Sequence, residues 1–345
     1  MRWLCTCAFL IYIFHLATIA ATTAVAPLPL KGAASPKAKA PLIPASAFLS
    51  TTHYMNSCPN LEAIIHRKVN AWVTRDPTLA ASIIRLHFHD CAVRGCDASV
   101  LLNHLGSERR AEVSSTLRGF SLIDDIKAEV EKQCPKTVSC ADILTAAARD
   151  ATILVGGPFW EVPFGRKDGR ISISKETDTV PHGRENITSL INFFEKLGLT
   201  FVDLVVLSGS HTIGRTSCYA IRDRIFNFNG TGKPDPSMNV FYVNSLKKQC
   251  KLSRNFVNLD VMTPRTFDVA YYRNLAKKLG ILATDQLLYS DLRTGPLVNI
   301  LAAQPEFFTS QFAVSMVKVG NANVLVGRNQ GEIRLNCNYV NPLKI

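Results

Sequence analysis

Three side chains with acid–base or ligating chemistry stand out by type and spacing: Arg85, His89 and His211. Arg85 and His89 are four residues apart, and on a helix that spacing stacks two side chains on one face. A permanent cation and an acid–base group then serve one cavity, a pairing suited to moving a proton beside a developing negative charge. His87 is also close, but residues i and i+2 of a helix diverge by about 200°. A metal hydrolase built on His87 and His89 would therefore need a strand here, and His89, which shares the Arg85 face, is the candidate of the two. His211 follows an apolar run, Leu204-Val-Val-Leu-Ser-Gly-Ser, and precedes Thr212-Ile-Gly214. That setting, with a glycine to free the backbone, suits a buried imidazole ligand as well as an ordinary core histidine. His53, His66, His104 and His182 have polar neighbours and read as surface residues.

The elements that must position these groups read as helices. Asp76-Pro77 looks like an N-cap followed by proline at the first helical position, ahead of an apolar face formed by Leu79, Ile83 and Leu86. Phe120 to Gln133 is amphipathic, with Ile123, Ile126 and Val130 on one side. The alanine-rich run from Ser139 ends at Gly156-Gly157-Pro158. Ile187 to Leu197 is a further helix. Thr200-Phe-Val-Asp203 is a capping box that opens a short apolar helix, Leu204 to Ser208, closed by Gly209. Arg265 to Lys278 and Glu306 to Val319 complete the set, and strand signals are brief, as around Arg170 to Ser174. The fold class is mainly α, with no internal repeat.

The chain has 345 residues, 47% of them apolar, enough for a large core, and a formal charge of +12. Arg2, Lys31, Lys37 and Lys39 supply +4 of that within the first fifty residues, which contain no acid, leaving +8 spread over the rest. A basic surface suits acidic polymers, but no Lys/Arg run favours nucleic acid. Residues 1–22 read as a secretory leader: Arg2, an apolar core from Leu4 to Ala21, then small residues. The apolar run is marginal for a membrane span, and no basic stop-transfer follows it. Residues 23–51 form an Ala/Pro-rich basic spacer, and 52–345 the folded domain. Cys5 and Cys7 leave with the leader. The eight remaining cysteines suggest four disulfides in an exported chain, with the pairing open. Two Asn-x-Thr acceptors, at Asn186 and Asn229, suit the same compartment.

Across residues 52–340 the chain resembles the secretory plant haem peroxidases, class III. The resemblance rests on Arg85-Leu-His-Phe-His-Asp-Cys91, Arg94-Gly-Cys-Asp-Ala-Ser99, Val138-Ser-Cys-Ala-Asp-Ile143, Leu207-Ser-Gly-Ser-His-Thr-Ile-Gly214 and Arg334-Leu-Asn-Cys337. It implies a two-lobed α-helical fold with haem b between the lobes. His211 would be the axial iron ligand, and Asp285 the carboxylate holding its Nδ1 hydrogen. His89 would relay the peroxide proton, Arg85 would stabilise the charge formed as the O–O bond breaks, and phenolic donors would each give one electron. Pro181, allowing a one-residue gap, matches a donor-holding proline.

Two calcium ions are implied as well. Asp90, Val93, Gly95, Asp97 and Ser99 match the distal site, and Thr212, Asp260, Thr263, Thr266 and Asp268 the proximal one. The implied disulfides are Cys58–Cys134, Cys91–Cys96, Cys140–Cys337 and Cys218–Cys250, and Asp142 with Arg166 resembles a buried structural ion pair. The implied setting is a monomer in the cell wall or apoplast rather than the vacuole, with hydrogen peroxide, phenols and acidic wall polysaccharide as partners. One departure stands out. The segment after Glu108 is one residue short, and Val113 falls where the family carries the asparagine that orients the distal histidine. Weaker peroxide cleavage is the expected consequence. A haem-containing wall protein with little turnover is the alternative that this departure allows.

Overall fold

The structure, a computed structural model, describes residues 44–342. The expected leader, residues 1–22, and most of the expected spacer lie outside the described residues. Within the described part of the expected spacer, Ser50 and Phe164 exchange backbone hydrogen bonds of 2.9 Å each way as an antiparallel bridge.

Four helices frame the first half: α1 (Leu61–Arg75), α2 (Leu79–Cys91), α3 (Phe120–Gln133) and α4 (Cys140–Leu154). Alanine dominates α4, and Ser139 caps it by accepting from the Asp142 N–H at 3.1 Å. With so little side-chain bulk, α4 lies buried between α1, α2 and α3. The start of α2 differs from expectation. Pro77 precedes the helix, and the Asp76 carboxylate instead receives the Thr78 N–H (3.0 Å) and hydroxyl (2.6 Å). That local turn sets the entry of the chain two residues later.

The second half holds α5 (Ile187–Lys196), α6 (Phe201–Ser208), α7 (Cys218–Phe226), α8 (Val240–Gln249), α9 (Ala270–Ala276), α10 (Ala283–Ser290), α11 (Gly295–Ala303) and α12 (Pro305–Gly320). The Thr200–Asp203 capping box is present with Thr200 as the N-cap, so α6 starts at Phe201, inside the box and ahead of the expected Leu204. Asp203 also receives the Lys318 ammonium (2.9 Å) and the Ser315 hydroxyl (2.8 Å), which ties α6 to α12. Gly209 does not end the helical path. With φ −58 it leads into a 3-10 turn, Gly209–Thr212. A Cβ there would overlap the Tyr272 hydroxyl and the Phe308 ring, so close packing rather than backbone freedom requires the glycine.

Strands are not found at Arg170–Ser174. The only ladder among the described residues pairs β1 (Arg215–Ser217) with β2 (Phe256–Asn258), antiparallel, Thr216 opposite Val257. The expected helix from Arg265 begins five residues late, at Ala270, because the preceding turn is occupied by Asp260 and Asp268 side-chain bonds to its own backbone. One large apolar cluster joins most helices, and a smaller one gathers around α7, α8 and Val257. Disulfides join Cys58–Cys134, Cys91–Cys96, Cys140–Cys337 and Cys218–Cys250, the four pairs that the resemblance implies. Arg166 and Asp142 pair at 2.8 Å with neither side chain exposed, and the Tyr54 hydroxyl completes the carboxylate at 2.8 Å.

Candidate active site

A cavity of about 1680 Å³ opens between α2, the 209–212 turn, β1 and the segment 181–185. It is larger than the roughly 300–1,000 Å³ of usual small-molecule pockets. Arg85, Phe88, Pro181, His211 and Asp285 line it. His211 stands in the 3-10 turn that follows α6. Its Nδ1 is 2.8 Å from Asp285 Oδ1, and about a third of its side chain (34%) is open while Asp285 is buried. The carboxylate acceptor assigns the proton to Nδ1 and leaves Nε2 as the free nitrogen. Burial disfavours the imidazolium, but the charge and hydrogen bond of Asp285 outweigh it and raise the His211 pKa. Asp285 is itself held by the Tyr271 hydroxyl (3.0 Å) and the Leu282 N–H (3.3 Å).

Arg85 faces this histidine from α2. Its guanidinium donates to the Thr116 hydroxyl at 2.9 Å and to the Val113 carbonyl at 3.0 Å. Among the described residues it has no carboxylate partner. Burial pushes its pKa down to about 10, so it remains a cation at neutral pH.

His89 lies one helical turn beyond Arg85 on α2. Its ring is 6% exposed and lies edge-on to Phe88, with centroids 6.3 Å apart, but it is not among the residues lining the cavity. Burial, then the charges of Arg85 and His182, hold the His89 pKa well below the ordinary imidazole range. No protein group among the described residues hydrogen-bonds its ring. Val113 is near Arg85 instead, through its backbone. The metal pairing of His87 with His89 fails: both sit on α2, and His87 is buried with Nδ1 3.7 Å from Cys91 Sγ. His87, Cys91 and Cys96 cluster closely, but the two sulfurs are joined in a disulfide and offer no thiolate to a metal.

Next to His89 is a cluster of buried acids. Asp90 accepts from the Ala98 N–H at 2.9 Å and Asp97 from the Ser99 N–H at 3.0 Å. The Gly95 carbonyl receives the Asp97 N–H at 2.8 Å, and Val93 lies in the same turn, its N–H 3.5 Å from the Asp90 carbonyl. The Ser99 hydroxyl and both Glu108 carboxylate oxygens are buried without a hydrogen-bond partner. Burial and mutual repulsion raise the Asp90 pKa, burial chiefly raises that of Asp97, and Glu108 is pushed up to about 8 by burial. Crowded carboxylates with an orphaned hydroxyl form a donor set that fits a hard cation. A second cluster adjoins His211. Thr212 and Thr263 hydroxyls both donate to Asp268 at 3.1 Å, and Thr212 also reaches Asp260 at 3.4 Å. Thr266 is exposed and joins only through its N–H to the Thr263 carbonyl (3.0 Å).

The family model for peroxidase matches residues 65–304. Peroxidase 7 of Arabidopsis thaliana is 49% identical over 302 residues, covering 87% of this chain and 86% of the relative. Peroxidase 1 of Oryza sativa subsp. japonica is 44% identical over 316 residues, 88% and 96% respectively. The chain belongs to the peroxidase family. It is a plant-type peroxidase, using hydrogen peroxide and a reducing substrate, and its family implies a haem cofactor.

The residues of the peroxidase fit that group. The cavity is large, apolar residues such as Phe88, Leu204 and Phe312 line it, and a carboxylate-oriented imidazole with a free Nε2 opens onto it. Several contributors escaped the sequence reading. Thr116 and the Val113 carbonyl hold Arg85, Tyr271 holds Asp285, and Glu108 joins the acid cluster. His182 is exposed, as expected of a surface residue, and also lines the cavity beside Pro181. Only adjacency to Pro181 hinted at that. The others act across more than ten residues of sequence or through a backbone carbonyl, where no spacing rule applies. Asn186 and Asn229 are both exposed, and Asn186 caps α5 through its side-chain oxygen, 2.9 Å from the Ser189 N–H.

Proposed function

We propose that this peroxidase is a secreted haem b enzyme that oxidises phenolic donors in the plant cell wall or apoplast. The observation that carries the reading is the His211–Asp285 pair, 2.8 Å apart, facing the Arg85 cation across one large cavity. His211 would hold the haem iron through Nε2, and Asp285 would keep Nδ1–H oriented and make the ring a stronger donor. Haem b, when bound, supplies the redox centre for reducing peroxide.

The other roles belong to the chain's own side chains. His89 is kept neutral by burial and by the charges of Arg85 and His182, so it can take a proton from peroxide and return it to the departing oxygen. Arg85 stabilises the negative charge that forms in between. Each of two phenols then gives one electron and one proton, and the peroxide leaves as two waters. Donors would approach along Pro181 at the cavity wall. Calcium ions would occupy the Asp90–Val93–Gly95–Asp97–Ser99 and Thr212–Asp260–Thr263–Thr266–Asp268 clusters and brace His89 and His211. The basic charge, +8 beyond the first fifty residues, supports retention on acidic wall polysaccharide, and glycans would occupy Asn186 and Asn229.

The test is an absorption spectrum of the purified protein. A Soret band that shifts with one equivalent of peroxide, and is lost or altered in His211→Ala, is expected. A protein that takes up no haem, or whose His211→Ala variant has an unchanged spectrum, overturns the assignment. A normal Soret band with no response to peroxide would favour the low-turnover wall protein.

A further inference from the structure

A second cavity, of about 460 Å³, lies beside the large one, between the last turn of α1, the start of α2 and the start of α3. Leu79 and Leu122 supply buried apolar surface to it, and Trp72 and Phe120 supply aromatic surface. The Trp72 ring is fixed by its Nε1–H, which donates to Asp125 at 2.9 Å. The Arg109 guanidinium lies over the Phe120 ring, 3.9 Å from its centroid.

The ionisable lining is three arginines, Arg75, Arg109 and Arg118, against one carboxylate, Asp76. Asp76 is already paired with Arg118. Arg109 donates to the uncharged Asn338 side chain at 2.8 Å. Arg75 is exposed and has no hydrogen-bond or ion-pair partner among the described residues. Arg75 therefore borders this aromatic, apolar recess with no carboxylate partner among the described residues, and Arg109 feels the Asp124 charge without a direct ion pair to it. Guanidinium groups suit a carboxylate, and flat aromatic walls suit a ring.

We propose that this recess binds an aromatic carboxylate, its ring against Trp72 and Phe120 and its carboxylate between Arg75 and Arg109. Asp76 and Arg118 line both cavities, so the bound acid sits at the threshold of the active site. The inference stands apart from the haem and calcium assignments, since none of those residues takes part.

The probe is 4-fluorobenzoate, titrated into the full purified protein and followed by fluorine NMR. Saturable binding is expected, at least about fivefold tighter than that of the neutral 4-fluorobenzamide. Arg75→Ala should weaken it about tenfold, the effect of losing one charged hydrogen bond. Ser121→Trp, an exposed position at the rim, should block it by filling the recess while leaving every arginine in place. Absence of saturable binding overturns the proposal. So does binding unchanged in either variant, which would put the acid in the large cavity.

Discussion

The two sides of the large cavity are supported in different ways. On the His211 side, side chains do the holding: Asp285 grips the ring, Tyr271 grips Asp285, and Thr212 anchors the next residue to Asp260 and Asp268. On the α2 side the named support goes to Arg85, half of it from a backbone carbonyl, while the His89 ring has no protein partner. Side-chain support can be deleted by one substitution. Support from a carbonyl survives any change of its side chain. The segment after Glu108 thus supports Arg85, through Thr116 and the Val113 carbonyl, and gives the His89 ring no hydrogen bond.

The sharpest way to break this contrast is Arg85→Leu. It should slow the reaction with peroxide by about a hundredfold to a thousandfold in rapid mixing. It should also move the acid limb of the pH profile upward, because the Arg85 charge helps keep the His89 pKa below the imidazole range. In the parent enzyme the rate should stay flat down through pH values where a free histidine would already be protonated.

Calcium removal comes next. Without an ion, Glu108 titrates at about 8 and Asp90 and Asp97 are also raised. Acids whose folded pKa is raised stabilise the fold below the ordinary carboxylate range and lose that contribution as pH rises towards 8. Chelation should therefore lower Tm more at pH 8 than at pH 5, and should slow the peroxide reaction by displacing His89. An unchanged rate, with calcium shown to be absent, would remove the link between the acid cluster and His89.

Thr116→Val keeps the shape and deletes one acceptor for Arg85. The peroxide rate should fall about tenfold, and cyanide binding should weaken in parallel. Val113→Asn keeps the carbonyl and adds an amide at the position where the resemblance expects a partner for His89. A gain of about fivefold in peroxide rate is expected, on the order of one hydrogen bond. No change would mean that His89 needs no brace. The smallest effect belongs to Tyr271→Phe, which should cost ~1 kcal/mol in an equilibrium melt, because Asp285 retains the Leu282 N–H.

Much of this was legible beforehand where the physics is local. The helix carrying Arg85 and His89, the alanine-rich α4, and the Thr200–Asp203 box all follow from periodicity, composition and capping within a few residues. The misses are also instructive. Pro77 suggested a helix start that the Asp76–Thr78 turn displaced, and Gly209 suggested a stop where the packing of Tyr272 and Phe308 demanded a missing Cβ. In both cases the residue type was right as a signal of something special and wrong as to what.

By itself the sequence determined the family, the mainly α fold and the residue types available to the site. Those depend on short-range spacing and on motifs. Only the tertiary structure decided that Arg85 and His211 line one cavity, that Tyr271 shares the Asp285 carboxylate with His211, and that Val113 serves through its carbonyl. A helical repeat sets the direction of a side chain to within tens of degrees. The packing of elements distant in sequence sets which group it meets there.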